Sequence, residues 1–145
     1  MTEFRLIAED DEDLQVISAH LQDAVLHVGD IAFLPSARRF ALVANRFRWE
    51  RAISGSQKYE RVRCGVHFEN VLRARSRNIS QDRKDGVLNL LSIQFQPDDA
   101  PSGTVKLVFS GGGEIDLSVE ALEVELNDLS DAWKTDLKPA HKIEE

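Results

Sequence analysis

The stretch Val119-Glu120-Ala121-Leu122-Glu123-Val124-Glu125-Leu126-Asn127-Asp128-Leu129 decides how the chain is closed at its C-terminal end. Val119, Leu122, Leu126 and Leu129 recur at three, four and three residues, a spacing that puts them on one face of a helix. Glu120, Glu123, Glu125 and Asp128 fall on the other face. The reading is an amphipathic helix, acidic outside. The other end of the chain offers a counterpart. Phe4-Arg5-Leu6-Ile7-Ala8 reads as a short strand, and the acids Glu9 to Asp13 follow. Acids suit the positive end of a helix dipole, and Asp10 or Asp11 can cap it. Leu14, Ile17, Leu21 and Ala24 then continue at helical spacing.

Between these two segments the apolar period is two, the signature of strands. Ile31 to Leu34 is a strand ended by Pro35. In the longer strand Arg39 to Trp49, Val43, Asn45, Phe47 and Trp49 share one face. Phe40, Leu42, Ala44, Arg46 and Arg48 share the other. Ala52 to Glu60 is a polar loop, after which Val62, Cys64, Val66 and Phe68 alternate with Arg61, Arg63 and His67. Past Asn70 the phase slips, a sign of a bulge or bend. Strands follow over Val87 to Phe95, Thr104 to Phe109 and Glu114 to Ser118. The last two form a hairpin about Gly111-Gly112-Gly113.

Two helices bracketing about six or seven strands with short connections give an α+β class. The expected core is a bent antiparallel sheet or partly open β-barrel. Strands closed by a C-terminal helix suit a pleckstrin-homology-like barrel. Residues 1–134 read as one domain and 135–145 as a frayed tail.

Bulk properties narrow the function. The 145 residues carry a net charge of -7, with 42% hydrophobic and 30% charged residues. The single cysteine, Cys64, rules out an intramolecular disulfide. No apolar run reaches signal-peptide length or the roughly 18 residues of a membrane span. The reading is a cytoplasmic protein away from membranes. Charge is segregated along the chain. Residues 1–34 hold one Arg and eight acids, residues 35–84 eleven Arg and two Lys against four acids, and residues 85–145 four Lys and thirteen acids.

No motif compels a chemistry. The Gly111-Gly112-Gly113 run is followed by Glu114 and a strand, not by the Lys and helix of a phosphate loop. Cys64 shares an apolar face with Val62 and Val66, where a thiol behaves as a small hydrophobe. His67 points to the opposite face. His67-Phe68-Glu69 resembles half of a zinc-deaminase motif, but no Pro-Cys-x-x-Cys accompanies it. The remaining histidines, His20, His27 and His141, are scattered, so no zinc pattern forms. No cofactor or metal is expected.

The arginines are the remaining signal. Arg46 and Arg48, Arg61 and Arg63, and Arg73, Arg75 and Arg77 each recur at period two, so each set lies along one strand face. Guanidinium groups suit bidentate contact with carboxylate or phosphate. Trp49 and Tyr59 lie near in sequence and offer stacking surfaces. These eight residues – the seven arginines and Trp49 – are the candidate ligand- or partner-binding set. The competing reading is that the two acidic helices cover the arginines.

The strings from Val28 to Pro35, Arg39 to Leu42 and Asn45 to Glu50, with Gly65-Val66-His67-Phe68 and Phe109-Ser110-Gly111-Gly112-Gly113, resemble an uncharacterised bacterial domain-of-unknown-function family. The resemblance spans nearly the whole chain. It implies a small stand-alone cytoplasmic protein of alphaproteobacteria, and it brings no activity, cofactor or catalytic residue. The expected function is a non-catalytic binding or adaptor protein that meets another protein or a second copy. A nucleic-acid or phosphorylated-ligand binder using the arginine face is the alternative, and an enzyme without a recognisable motif comes third.

Overall fold

The structure, a computed structural model, describes residues 4–50 and 59–135. Eleven strands and one α-helix lie wholly within them. They are β1 (Arg5–Ala8), α1 (Asp11–His20), β2 (Ala24–His27), β3 (Ile31–Leu34), β4 (Arg39–Phe47) and β5 (Tyr59–Phe68). The remainder are β6 (Val71–Arg77), β7 (Val87–Pro97), β8 (Gly103–Phe109), β9 (Glu114–Val119), β10 (Val124–Asp128) and β11 (Trp133–Thr135). Most of the polar loop expected at 52–60 and the tail expected from 135 fall outside the described residues. Tyr59 opens β5, and Thr135 ends a strand paired to it.

The strands form one antiparallel sheet in the order β1-β10-β5-β4-β2-β7-β8-β9-β6, with β3 added to β4 and β11 to β5. This overturns the α+β expectation. Among the described residues the fold is sheet-dominated, has eleven strands rather than six or seven, and has strand β10 where the closing helix of a pleckstrin-homology-like barrel was expected. Nor is it a barrel: the path ends at β1 and β6, which are not paired to each other. The misread stretch is the decisive one. Val119 ends β9, Leu122 lies buried in the connection, and Val124 and Leu126 point inward from β10. Leu129, the fourth member of the supposed helical stripe, is 57% exposed. β10 is held between β1 and β5, so ladder bonds on both edges outweigh the helix preference of Ala, Leu and Glu.

α1 forms as its sequence dictates. The Asp10 carboxylate accepts the Asp13 N–H at 2.8 Å, and acids fill the first turn. Leu14 and Ile17 are fully buried. Ser18 Oγ accepts the Ile93 N–H at 2.9 Å and so pins the helix to β7.

β5 and β6 are nearly one run of chain, broken at Glu69-Asn70. Asn70 takes a left-handed conformation (φ 60°), which Asn tolerates better than most residues. β6 thereby leaves β5's neighbours and pairs with β9, with a register shift between Val71 and Arg73. The sheet folds over itself as a result. Phe40, Leu42, Cys64, Val66 and Phe68 of one half share a core with Val105, Leu107, Ile115 and Leu117 of the other.

Candidate functional site

The sheet does not gather the eight candidate residues into one field. It divides them into three groups.

The first group is internal. Arg46 shares the core-facing side of β4 with Phe40, Leu42 and Ala44 and is fully buried. Its Nε and Nη2 donate to Asp128 at 3.0 and 2.9 Å, and Nη1 and Nη2 donate to Glu50 at 3.2 and 3.1 Å. The guanidinium lies 4.5 Å from the centre of the Phe4 ring. Burial alone would lower its pKa, but the hydrogen bonds and charges of Asp128 and Glu50 outweigh it and the net shift is upward. Burial likewise pushes Glu50 up, and the Arg46 hydrogen bond reverses this and holds it below the ordinary carboxylate value. Arg48 donates to Glu60 at 2.7 Å. Arg61 donates to the Asn45 carbonyl at 3.1 Å and lies over the Phe47 ring. Trp49 donates its indole N–H to the Gln22 carbonyl at 2.9 Å and meets Phe47 edge-on. The neighbouring Tyr59 ring also lies against Phe47, at 6.0 Å. These side chains are committed to the fold.

The second group is paired on the surface. Arg77 of β6 donates to Glu114 and Asp116 of β9 at 3.2 and 3.3 Å. Arg38 with Glu120, Arg39 with Glu69 and Arg5 with Glu125 are paired in the same way. The covering acids come chiefly from strands and their connections. The acids of the first turn of α1 make no ion pair with arginine among the described residues, contrary to the idea of two acidic helices lying over an arginine face.

The third group is free. Among the described residues Arg63, Arg73 and Arg75 have exposed side chains with no hydrogen-bond or ion-pair partner. Asp116, which stands opposite Arg75 in the β6–β9 register, is taken by Arg77.

Arg75, one of the two free arginines of β6, borders a cleft of about 270 Å³ between β3 and β6. Its apolar part is Val28, Ile31, Phe33, Phe40, Ala74, Ile79 and Ile115. Its polar part is Arg75, Ser76, Gln81 and Lys84. Gln81 and Lys84 belong to the segment after β6, and Lys84 has no side-chain partner among the described residues. The Gly29 N–H donates to the Lys84 carbonyl, so that segment is tied to the start of β3. Of the lining residues only Arg75 stood out in the sequence. Lys84 and Ile79 sit in a polar loop with no period, and nothing local shows that β3 comes to face β6.

Two further cavities lie elsewhere. One of about 120 Å³ is bordered by Phe4, Arg48, Glu50 and Asp128, beside the buried Arg46. Another of about 390 Å³ lies between the acidic start of α1 and the Pro97–Pro101 loop. Cys64 and His67 line none of the three. Cys64 is fully buried and its thiol is pushed up to about 12 by that burial, which leaves it protonated and inert. His67 Nδ1 lies 2.6 Å from Glu69, and its Nε2 lies 3.8 Å from Glu125. His20 Nδ1 is 2.9 Å from the Val16 carbonyl, and His27 lies 3.7 Å from Asp30. His141 lies outside the described residues. Among the described residues no three potential ligands gather to hold a metal ion, and no helix is long and apolar enough to cross a membrane.

Fold and cleft together define an open antiparallel β protein with one cation-bordered apolar slot at the seam of its sheet. The chain belongs to the family described as "Protein of unknown function (DUF2948)", which matches residues 4–141. No curated protein and no solved structure matched in the corresponding searches.

Proposed function

We propose that this protein is a non-catalytic binding protein of the bacterial cytoplasm, an adaptor whose acidic protein partner docks at the β3–β6 cleft. One observation carries the reading. Among the described residues six of the eleven arginines pair with carboxylates of the chain itself, while Arg75 and Lys84 stand unpaired in the lining of an apolar slot, with Arg73 unpaired two residues along the same strand. Unpaired cations beside apolar surface favour a ligand that brings both carboxylates and apolar side chains. The slot is smaller than the roughly 300–1,000 Å³ typical of small-molecule sites, which favours a few side chains over a cofactor.

Nucleic acid is the weaker reading, because the guanidinium field it would need is divided and mostly consumed. Titrating isotope-labelled protein with three probes separates the readings: a capped heptapeptide of alternating Glu and Val, inorganic phosphate, and a short oligothymidylate. The peptide is expected to shift the resonances of Ala74, Ile79 and Ile115, and the Arg75→Glu/Lys84→Glu variant to lose that response. An oligothymidylate that binds more tightly than the peptide, with affinity falling steeply in salt, would overturn the proposal.

A further inference from the structure

β6 is the last strand of the sheet path. Among the described residues its only strand partner is β9, on one side. In an antiparallel ladder alternate residues turn their N–H and C=O groups away from the partner. Among the described residues, the Val71 N–H reaches the Arg38 carbonyl, and beyond it no backbone hydrogen bond serves the outer edge of β6 as far as Arg77. β3, across the cleft, likewise has a single strand partner among the described residues, β4. The cleft is therefore a gap between two unpaired strand edges, with an apolar floor.

We infer that the cleft accepts an extended acidic segment of a partner protein, which adds to β6 as a further antiparallel or parallel strand. This rests on the docking reading above and specifies the form of the docked segment. An added strand supplies the missing hydrogen-bond partners and drops every second side chain into the slot. Charge sets the sequence. Arg73 and Arg75 lie along β6 beside the open edge and Lys84 lines the same cleft as Arg75, so the intervening side chains of the segment are Glu or Asp.

The same charges exclude the commonest competitor, a second copy. Pairing β6 with the β6 of another molecule would set Arg73, Arg75 and Arg77 against one another, and like charges placed opposite are destabilising. Edge arginines also guard a sheet against indiscriminate pairing. Here they guard it selectively, since an acidic strand is admitted where a neutral or basic one is not.

The test uses the Glu-Val heptapeptide and two N-methylated forms. In one form the amides on one edge of the peptide are methylated, and in the other form those on the opposite edge. Strand addition uses only one edge. One form is expected to bind at least about tenfold more weakly and the other almost as well as the parent, since each lost backbone bond is worth about a kcal/mol. Amides of β6 between Arg73 and Arg77 gain protection from hydrogen exchange on binding. A peptide of alternating Lys and Val does not bind the native protein but binds the Arg75→Glu/Lys84→Glu variant, whose fold is checked by its unchanged thermal transition. If both methylated forms bind equally and β6 gains no protection, strand addition is wrong while the cleft remains the site. If the variant binds the acidic peptide as well as the native protein does, or if no peptide binds at millimolar concentration, the docking site itself is wrong.

Discussion

Arg46 shows how a single side chain can look like a binding residue and serve as structure. It lies in the core with two carboxylates and an aromatic ring around it. Isolating a buried charge is costly, whereas replacing a whole buried ion cluster by apolar groups is often neutral. Arg46→Met leaves Asp128 without its cation and Glu50 with only Arg48, whose Nε lies 3.6 Å away. Because Glu50 is 31% exposed and can turn to water, the loss belongs near the low end of the range, about 3 kcal/mol. Urea unfolding is the measurement, with the midpoint falling at unchanged slope. Adding Asp128→Leu is expected to recover much of that loss. The burial of Arg46 was legible in part, since its period-two phase puts it with Phe40, Leu42 and Ala44. What stayed hidden was its partner, because Asp128 lies 82 residues away and looked like the outer face of a helix.

At the scale of elements, glycines separate space from conformation. Gly103 opens β8 where a Cβ would lie 2.6 Å from the Gln96 carbonyl and 2.7 Å from the Phe95 ring. Gly103→Ala must push the β7–β8 hairpin apart, at a cost of about 1–3 kcal/mol. Gly111, in the turn between β8 and β9, has φ +78° and open space around it, so Gly111→Ala meets only backbone strain of about 1 kcal/mol. Comparing the two midpoints in urea checks the order: Gly103→Ala should fall further. The elements themselves were unequally readable. α1 combined a cap, an acidic first turn and an apolar stripe in the same few residues, so every local signal agreed. The run from Glu120 to Leu129 fitted two periods at once. Leu122, Val124 and Leu126 alternate as a strand does, while Leu122, Leu126 and Leu129 step as a helix does. Residues with high helix propensity favoured the second reading, and pairing on both edges of β10 decided for the first. The cleft was less legible still, because it depends on β3 and β6 meeting across a fold in the sheet.

For the whole molecule, the segregated charge of the sequence becomes a lattice of pairings between distant segments, and this shapes the response to acid. Glu50 and Glu125 both titrate below their ordinary value of 4.5 in the folded state. For Glu125 the leading cause is the hydrogen bond from Arg5. A carboxylate with a depressed folded-state pKa contributes stability that is complete above the unfolded value. That contribution is lost as pH falls through the lower, folded value. Stability is therefore expected to decline as pH falls below about 4.5, and Glu50→Gln to flatten that decline. Denaturant midpoints taken across that range provide the check.

The break at Glu69-Asn70 has a consequence beyond steering the chain. The Glu69 N–H donates to Glu123, the Glu120 N–H to Asn70, and the Val71 N–H to Arg38, so separate segments are laced to this one corner. Arg38 closes the turn Pro35–Ala37 that joins β3 to β4, and Val71 begins β6. The two banks of the cleft are thus riveted together at one end, like the jaws of tweezers at their joint. A guest finds the gauge of the slot already set, and little of its binding energy is spent on bringing the jaws into place.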